Sequence, residues 1–228
     1  MKRFAIVLLA ATLLAGCGGA KPAETKPVGK PETKPALSPA ESKDAAAARA
    51  VVLRFFNAAA TGDGKAMADC HKASDHAKQL IIAMAPQGKL MIEFRRKMIA
   101  AYGKDCLGEL GAAIKDPQQV EKGLDIILAG DTAMADTGDR GMLKLVKVGD
   151  AWLIHDPSLM RLSPAQVEML AKSAPATEAV VHDVTAMIGK PGQSAKAIIA
   201  AFQNGLILAA QGAMDGAPPS SPTLMPAK

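Results

Sequence analysis

The sequence predicts an α+β fold: N-terminal helices packed on an antiparallel sheet, followed by a helical appendix. Three observations carry this. Apolar residues recur at intervals of three and four up to about residue 122, then alternate in twos from residue 131 to residue 156. The helical interval returns after Pro157. Alanine supplies 45 of the 228 residues, and it has the best helix propensity of all. Without alanine the hydrophobic set falls from 49% to about 29% of the chain, enough for one ordinary core. A mean hydropathy of +0.12 with 21% charged residues excludes a polytopic membrane protein and a wholly disordered chain. Five Phe, one Tyr and one Trp are too few for broad stacking platforms for sugars, bases or flavins.

The elements follow in order. From Asp44 to Thr61, Val52, Phe55, Phe56 and Ala59 form a stripe that should face a core. Thr61-Gly62-Asp63-Gly64 stops that helix, and Lys65 to His71 reads as a second, short one. Helical patterns run from Asp75 to Ala85 and from Lys89 to Tyr102, divided by Pro86-Gln87-Gly88. Pro117 opens a further short helix to Lys122. Strands are expected at Asp131 to Asp136, Met142 to Val148 and Ala151 to Asp156. The two residues Gly149-Asp150 make the last turn tight, which pairs Val148 with Ala151, Lys147 with Trp152, Leu145 with Ile154 and Leu143 with Asp156. Leu143, Leu145, Trp152 and Ile154 then share the core face. Beyond Pro157, Ser163 with Gln166 three residues on forms a capping box around Pro164. Pro175 is expected to restart the helix, Gly189-Lys190-Pro191-Gly192 to end it, and Ser194 to cap another helix to about Gln211. Residues 195–204 echo residues 48–57, which is expected from the convergence of two Ala-rich amphipathic helices, the alternative being a fragmentary duplication.

The chain starts Met1-Lys2-Arg3, and Phe4 to Ala15 is apolar apart from Thr12, too short to span a bilayer and suited to a secretory signal. It ends in Leu14-Ala15-Gly16-Cys17, which resembles the lipobox of bacterial lipoproteins. That resemblance implies cleavage between Gly16 and Cys17, diacylglycerol on the Cys17 sulfur and a stable membrane anchor of two or three acyl chains. Gly18 follows the cysteine in place of Asp, which in enteric lipoproteins implies export to the outer membrane. Loss of residues 1–16 lowers the net charge from +5 to +3, and the next stretch to Lys43 carries a further +2. The folded remainder is close to neutral, which removes the electrostatic case for nucleic acid. Residues 17–43 read as a tether: Pro22, Pro27, Pro31, Pro35 and Pro39 punctuate them, and Glu-Thr-Lys-Pro occurs twice. At about 3.1 Å per residue in an extended, polyproline-like state, such a segment reaches about 80 Å. Residues from 214 onward, rich in Pro and Ser, read as a disordered tail.

The opening helix Ala50-Val51-Val52-Leu53-Arg54-Phe55-Phe56-Asn57-Ala58-Ala59 with Gly62-Asp63, and the hairpin Leu143 to Ile154 with Trp152 just after its turn, resemble the nuclear transport factor 2-like superfamily. The resemblance covers residues 44–158 and implies a cone in which helices pack into a curved sheet. Residues 159–213 are then a helical appendix.

Chemistry-bearing residues are few. Cys70 and Cys106 remain once Cys17 is lipidated, and an oxidising compartment favours their pairing as a disulfide, the alternative being two buried free thiols. Cys70, His71, Asp75 and His76 cluster without the spacing of a recognised metal site, so no metal or cofactor is expected. Met84, Met91 and Met98, seven apart, read as core filling. Asp131, Asp136, Asp139, His155 and Asp156 lie near the sheet without forming a catalytic set, and His155 falls on the face away from the core. Arg95, Arg96 and Lys97 read as the wet face of a helix. The expectation is a non-catalytic binding or interaction module held on a bacterial envelope membrane through Cys17, with an envelope protein or a small apolar ligand as partner. An envelope enzyme of isomerase, dehydratase or cyclase type, acting on a small apolar molecule in the cone, is the alternative. A structural or dimerisation module is a third.

Overall fold

The computed structural model describes residues 39–215, apart from 109, 112, 113, 139 and 140, and side chains from 43 to 212. The signal segment, Gly16, Cys17, most of the tether, and the tail from 216 lie outside the described residues, as does Asp139.

The fold is α+β, as the periodicity requires, with a four-stranded antiparallel meander and two groups of helices. Helix α1 (Pro39–Thr61) starts five residues before the expected Asp44, so the last residues assigned to the tether are helical. Gly62, at φ +75°, ends it in the left-handed region, and Asp63 caps α2 (Gly64–Asp69) by accepting the Ala66 N–H. Helix α3 (Asp75–Tyr102) carries the Ser74 cap, whose Oγ accepts the Ala77 N–H. Helix α4 (Pro117–Gly123) has Pro117 at its start and the Asp116 carboxylate on the Gln118 N–H. Strands β1 (Asp125–Ala129), β2 (Thr132–Asp136), β3 (Met142–Val148) and β4 (Ala151–Ile154) follow in spatial order. After α5 (Pro157–Met160), α6 (Pro164–Met187) starts in the expected Ser163–Gln166 capping box. Helix α7 (Ala195–Asp215) has the Ala197 N–H on Ser194 Oγ.

The last hairpin has the expected register from Val148–Ala151 to Leu145–Ile154, with Leu143, Leu145, Trp152 and Ile154 all buried. One further ladder bond runs from the His155 N–H to Lys144 O, but the expected Leu143–Asp156 pair does not form, because Asp156 turns out of the ladder to accept the Ser158 N–H at the start of α5. Strand β1 is an addition to the expected set. Its Ile126-Ile127-Leu128 run and the Gly130-Asp131 turn are a short strand signal hidden behind α4.

Both expected breaks at proline are absent. Helix α3 is continuous through Pro86, and α6 through Pro175. A proline inside a helix costs about 3 kcal/mol, since it cannot donate to the carbonyl four residues earlier. Burial on both sides offsets that cost. Leu80, Ile81, Met84 and Ala85 before the break, and Ile92, Phe94 and Met98 after it, are all in cores. The proline turns also meet: Gln87, 1% exposed, donates its Nε2–H to Ala174 O at 3.1 Å, next to Pro175.

Two main cores result, and α3 belongs to both. Its N-terminal half packs with α1, α2 and the sheet around Val52, Phe55, Phe56, Leu145 and Trp152. Its C-terminal half packs with α6 and α7, where Phe94 stacks on Phe202 at 5.4 Å among Met98, Val180, Val184 and Ile198. A smaller cluster of Leu80, Met84, Val167 and Leu170 fills the angle between α3 and α6. The helices after residue 159 therefore share a core with α3. At Gly205 the helices come close, for a Cβ there would lie 2.5 Å from a Val180 methyl.

Candidate functional site

The residues singled out in the sequence are distributed over three places. Around His71, residues of α1, α2, α3 and α5 line a partly open space of about 20 Å³, among them Phe55, Met67, Leu80, Met84 and Leu159. That volume holds about one water molecule and no organic substrate. His71 is 7% exposed, packs edge-on against Phe55 at 5.0 Å, and donates its Nδ1–H to Met67 O at 2.9 Å. A carbonyl can only accept, so the bond fixes the proton of the neutral ring on Nδ1. Burial pushes the His71 pKa below its ordinary value, against smaller opposing effects of the Met67 bond and the Asp156 charge.

The neutral imidazole makes the fold acid-sensitive. In the unfolded chain His71 regains a pKa near 6.5, so between that value and its lower folded one the unfolded state binds more protons. Stability is therefore present above pH 6.5 and falls as the pH drops through that window. Melting temperatures recorded from pH 8 to pH 5 should decline below about pH 6.5 for the native chain and stay flatter for His71→Gln. Equal slopes for the two proteins would refute the assignment.

The second place is the seam between α1 and the hairpin. Lys147 donates to both Asp44 oxygens at 2.8 and 2.9 Å, and Trp152 Nε1–H donates to Asp44 Oδ1 at 3.3 Å. The Lys147 bond holds the Asp44 carboxyl below its usual range, and Asp44 in turn raises Lys147. The hairpin register placed Lys147 beside Trp152, but only the packing of α1 supplies Asp44. This is a structural clamp, with its charges neutralised in place.

The third is the start of α4. Arg96 Nε donates to Asp116 Oδ2 at 2.8 Å, and Lys115, 7% exposed, donates to Gly138 O at 2.6 Å. Asp116 stays below its usual range because the Arg96 and Gln118 bonds outweigh the opposing effect of burial. Arg95 Nε is buried without a hydrogen-bond partner among the described residues. Lys97 is exposed, as expected for a wet helix face.

Cys70 and Cys106 are free thiols. Two separate helices at Asp75 to Ala85 and Lys89 to Tyr102 could have brought the cysteines that flank them together, but α3 is continuous. As one helix of 28 residues it is about 42 Å long, and the cysteines lie beyond its opposite ends. A disulfide needs Cα atoms within about 7 Å. Cys70 sits in the sheet core and Cys106 against the helical core, and burial raises both thiols above the ordinary pKa, which leaves them poor nucleophiles.

Asp136 accepts the Gly138 N–H in its turn, and Asp156 caps α5 through the Ser158 N–H and hydroxyl. His155 is half-buried, and its Nδ1 has no hydrogen-bond partner among the described residues. Among the described residues no group of three or more His, Cys, Asp or Glu is placed to hold a metal, and no helix is long and apolar enough to cross a membrane. Met84 and Met98 are buried in separate clusters, and Met91 packs against the one that holds Met98. No family model, curated protein or solved structure matches the chain.

Proposed function

We propose that the chain is a lipid-anchored protein of a bacterial cell envelope whose folded part is a non-catalytic binding or interaction module.

 The observation that carries the anchor is Leu14-Ala15-Gly16-Cys17 at the end of the apolar run, followed by a tether dense in lysine and proline. The non-catalytic reading is supported by the small size of the space beside His71, which has room for one water, and by Asp136 and Asp156, whose carboxylates serve a turn and a helix cap. An enzyme acting on a small apolar molecule would need an open cavity at that place.

We also read residues 44–158 as nuclear transport factor 2-like. A long first helix packed against an antiparallel meander, with Trp152 in the final hairpin, supports that reading. The three-helix core built by α3, α6 and α7 is then an addition to the cone, and its surface is available for a partner in the envelope.

The anchor is tested directly. Cys17→Ala should move the protein from the membrane fraction to the soluble fraction and abolish incorporation of labelled fatty acid. Labelling that persists in the variant would defeat the assignment.

A further inference from the structure

The two edges of the sheet are finished differently. At β4, the Ile154 N–H donates to Cys70 O and the Lys72 N–H donates to Ile154 O, both at 2.8 Å, so the segment after α2 pairs with that edge at Ile154. Strand β1 forms the other edge, and among the described residues its backbone has no hydrogen bond beyond those to β2.

The ladder fixes which groups point outward. Lys147 N–H donates to Asp131 O and Thr137 N–H to Gly141 O, so the odd-numbered residues of β2 face β3 and the even-numbered ones face β1. Their partners Asp125, Ile127 and Ala129 therefore bond to β2. Ile126 and Leu128 turn their N–H and C=O groups out of the sheet.

Natural edge strands are guarded by lysine, proline, bulges or inward-pointing charges. The sequence Asp125-Ile126-Ile127-Leu128-Ala129 has none of these; its register with β2 is unbroken and its one charge is at the first position. Ile127 is 55% exposed, and Met134, its partner on β2, is 36% exposed.

We propose that β1 is a pairing edge for a second copy of this chain, joining two sheets antiparallel about a two-fold axis at Ile127. The strand is self-complementary in that register. Ile126 of each copy meets Leu128 of the other with both outward groups satisfied, Asp125 meets Ala129, and Ile127 meets its own counterpart. No like charges face each other, and an isologous contact of this kind closes as a dimer. The flanking parts of this chain are poor occupants, since prolines at 22, 27, 31 and 35 and at 218, 219, 222 and 226 lack the N–H a strand must donate. The inference rests on the sheet alone and is independent of the lipid anchor.

The test uses the full chain in nonionic detergent with Cys17→Ser, so that neither lipid nor that thiol contributes to association. A five-residue ladder is a small interface, so sedimentation equilibrium should extend to about 1 mM and should find a reversible dimer. Ile127→Lys, which places like charges face to face at an already exposed position, should weaken it about 100-fold. Ile82→Lys, at an exposed apolar position on α3, should leave it unchanged. Ile127→Cys should give a disulfide-linked dimer under copper phenanthroline oxidation, because directly opposed residues of such a pair lie within bonding reach, and Val148→Cys should not. A monomer throughout that range, a dimer indifferent to Ile127→Lys, or cross-linking equal at both positions overturns the proposal.

Discussion

Phe94→Ala is expected to destabilise the whole fold by about 3–5 kcal/mol, and the loss should be reported by a residue in the other core. Phe94 is 0% exposed and stacks on Phe202, so truncation removes the transfer free energy of a ring and leaves a cavity between α3, α6 and α7. Trp152 is the only tryptophan and lies in the sheet core. Because one uninterrupted α3 belongs to both cores, the helix cannot unravel at Phe94 without withdrawing Leu80, Ile81 and Ala85 from their neighbours. Urea titrations followed by Trp152 fluorescence and by far-ultraviolet circular dichroism should therefore shift together. A variant whose circular dichroism midpoint falls while its Trp152 midpoint stays would show two independent units, with the helices after residue 159 as a true appendix.

Gly64→Ala should cost about 3 kcal/mol, although alanine is the better helix former. The first residue of α2 lies so close to α3 that a Cβ would sit 2.7 Å from Ile82 Cα and 2.8 Å from Ile82 O. Those are backbone atoms, and the carbonyl is the one Pro86 cannot serve, so relief requires moving α2 or α3. Gly212→Ala in α7 meets nothing within 4 Å and should instead raise stability by up to about 1 kcal/mol. Thermal melts of the two variants should move in opposite directions. A neutral Gly64→Ala would mean that the helices slide apart freely at this contact.

Much of the fold was legible because its causes are local. The Gly149-Asp150 turn sets the hairpin register within a few residues, and Ser163 with Gln166 starts α6 through bonds that span one turn. The seven-residue spacing of Met84, Met91 and Met98 was legible as packing, although the helix that joins them was not. Strand β1 was missed because three apolar residues after a short helix carry no period long enough to read. The site around His71 was equally hidden. Its lining comes from α1, α2, α3 and α5, and the sequence showed only that Cys70, His71, Asp75 and His76 are neighbours.

The sequence by itself determined the α+β class, the last hairpin and its core face, and the helix caps, and the reading of Cys17 as a lipid site rests on it alone. Tertiary structure decided the continuity of α3 and α6, the separation of Cys70 from Cys106, the Asp44 clamp and the open edge at β1. The reason is one of range. Turns and caps are settled by hydrogen bonds between residues close in the chain, whereas a helix passes through proline only when burial on both sides outweighs the lost bond.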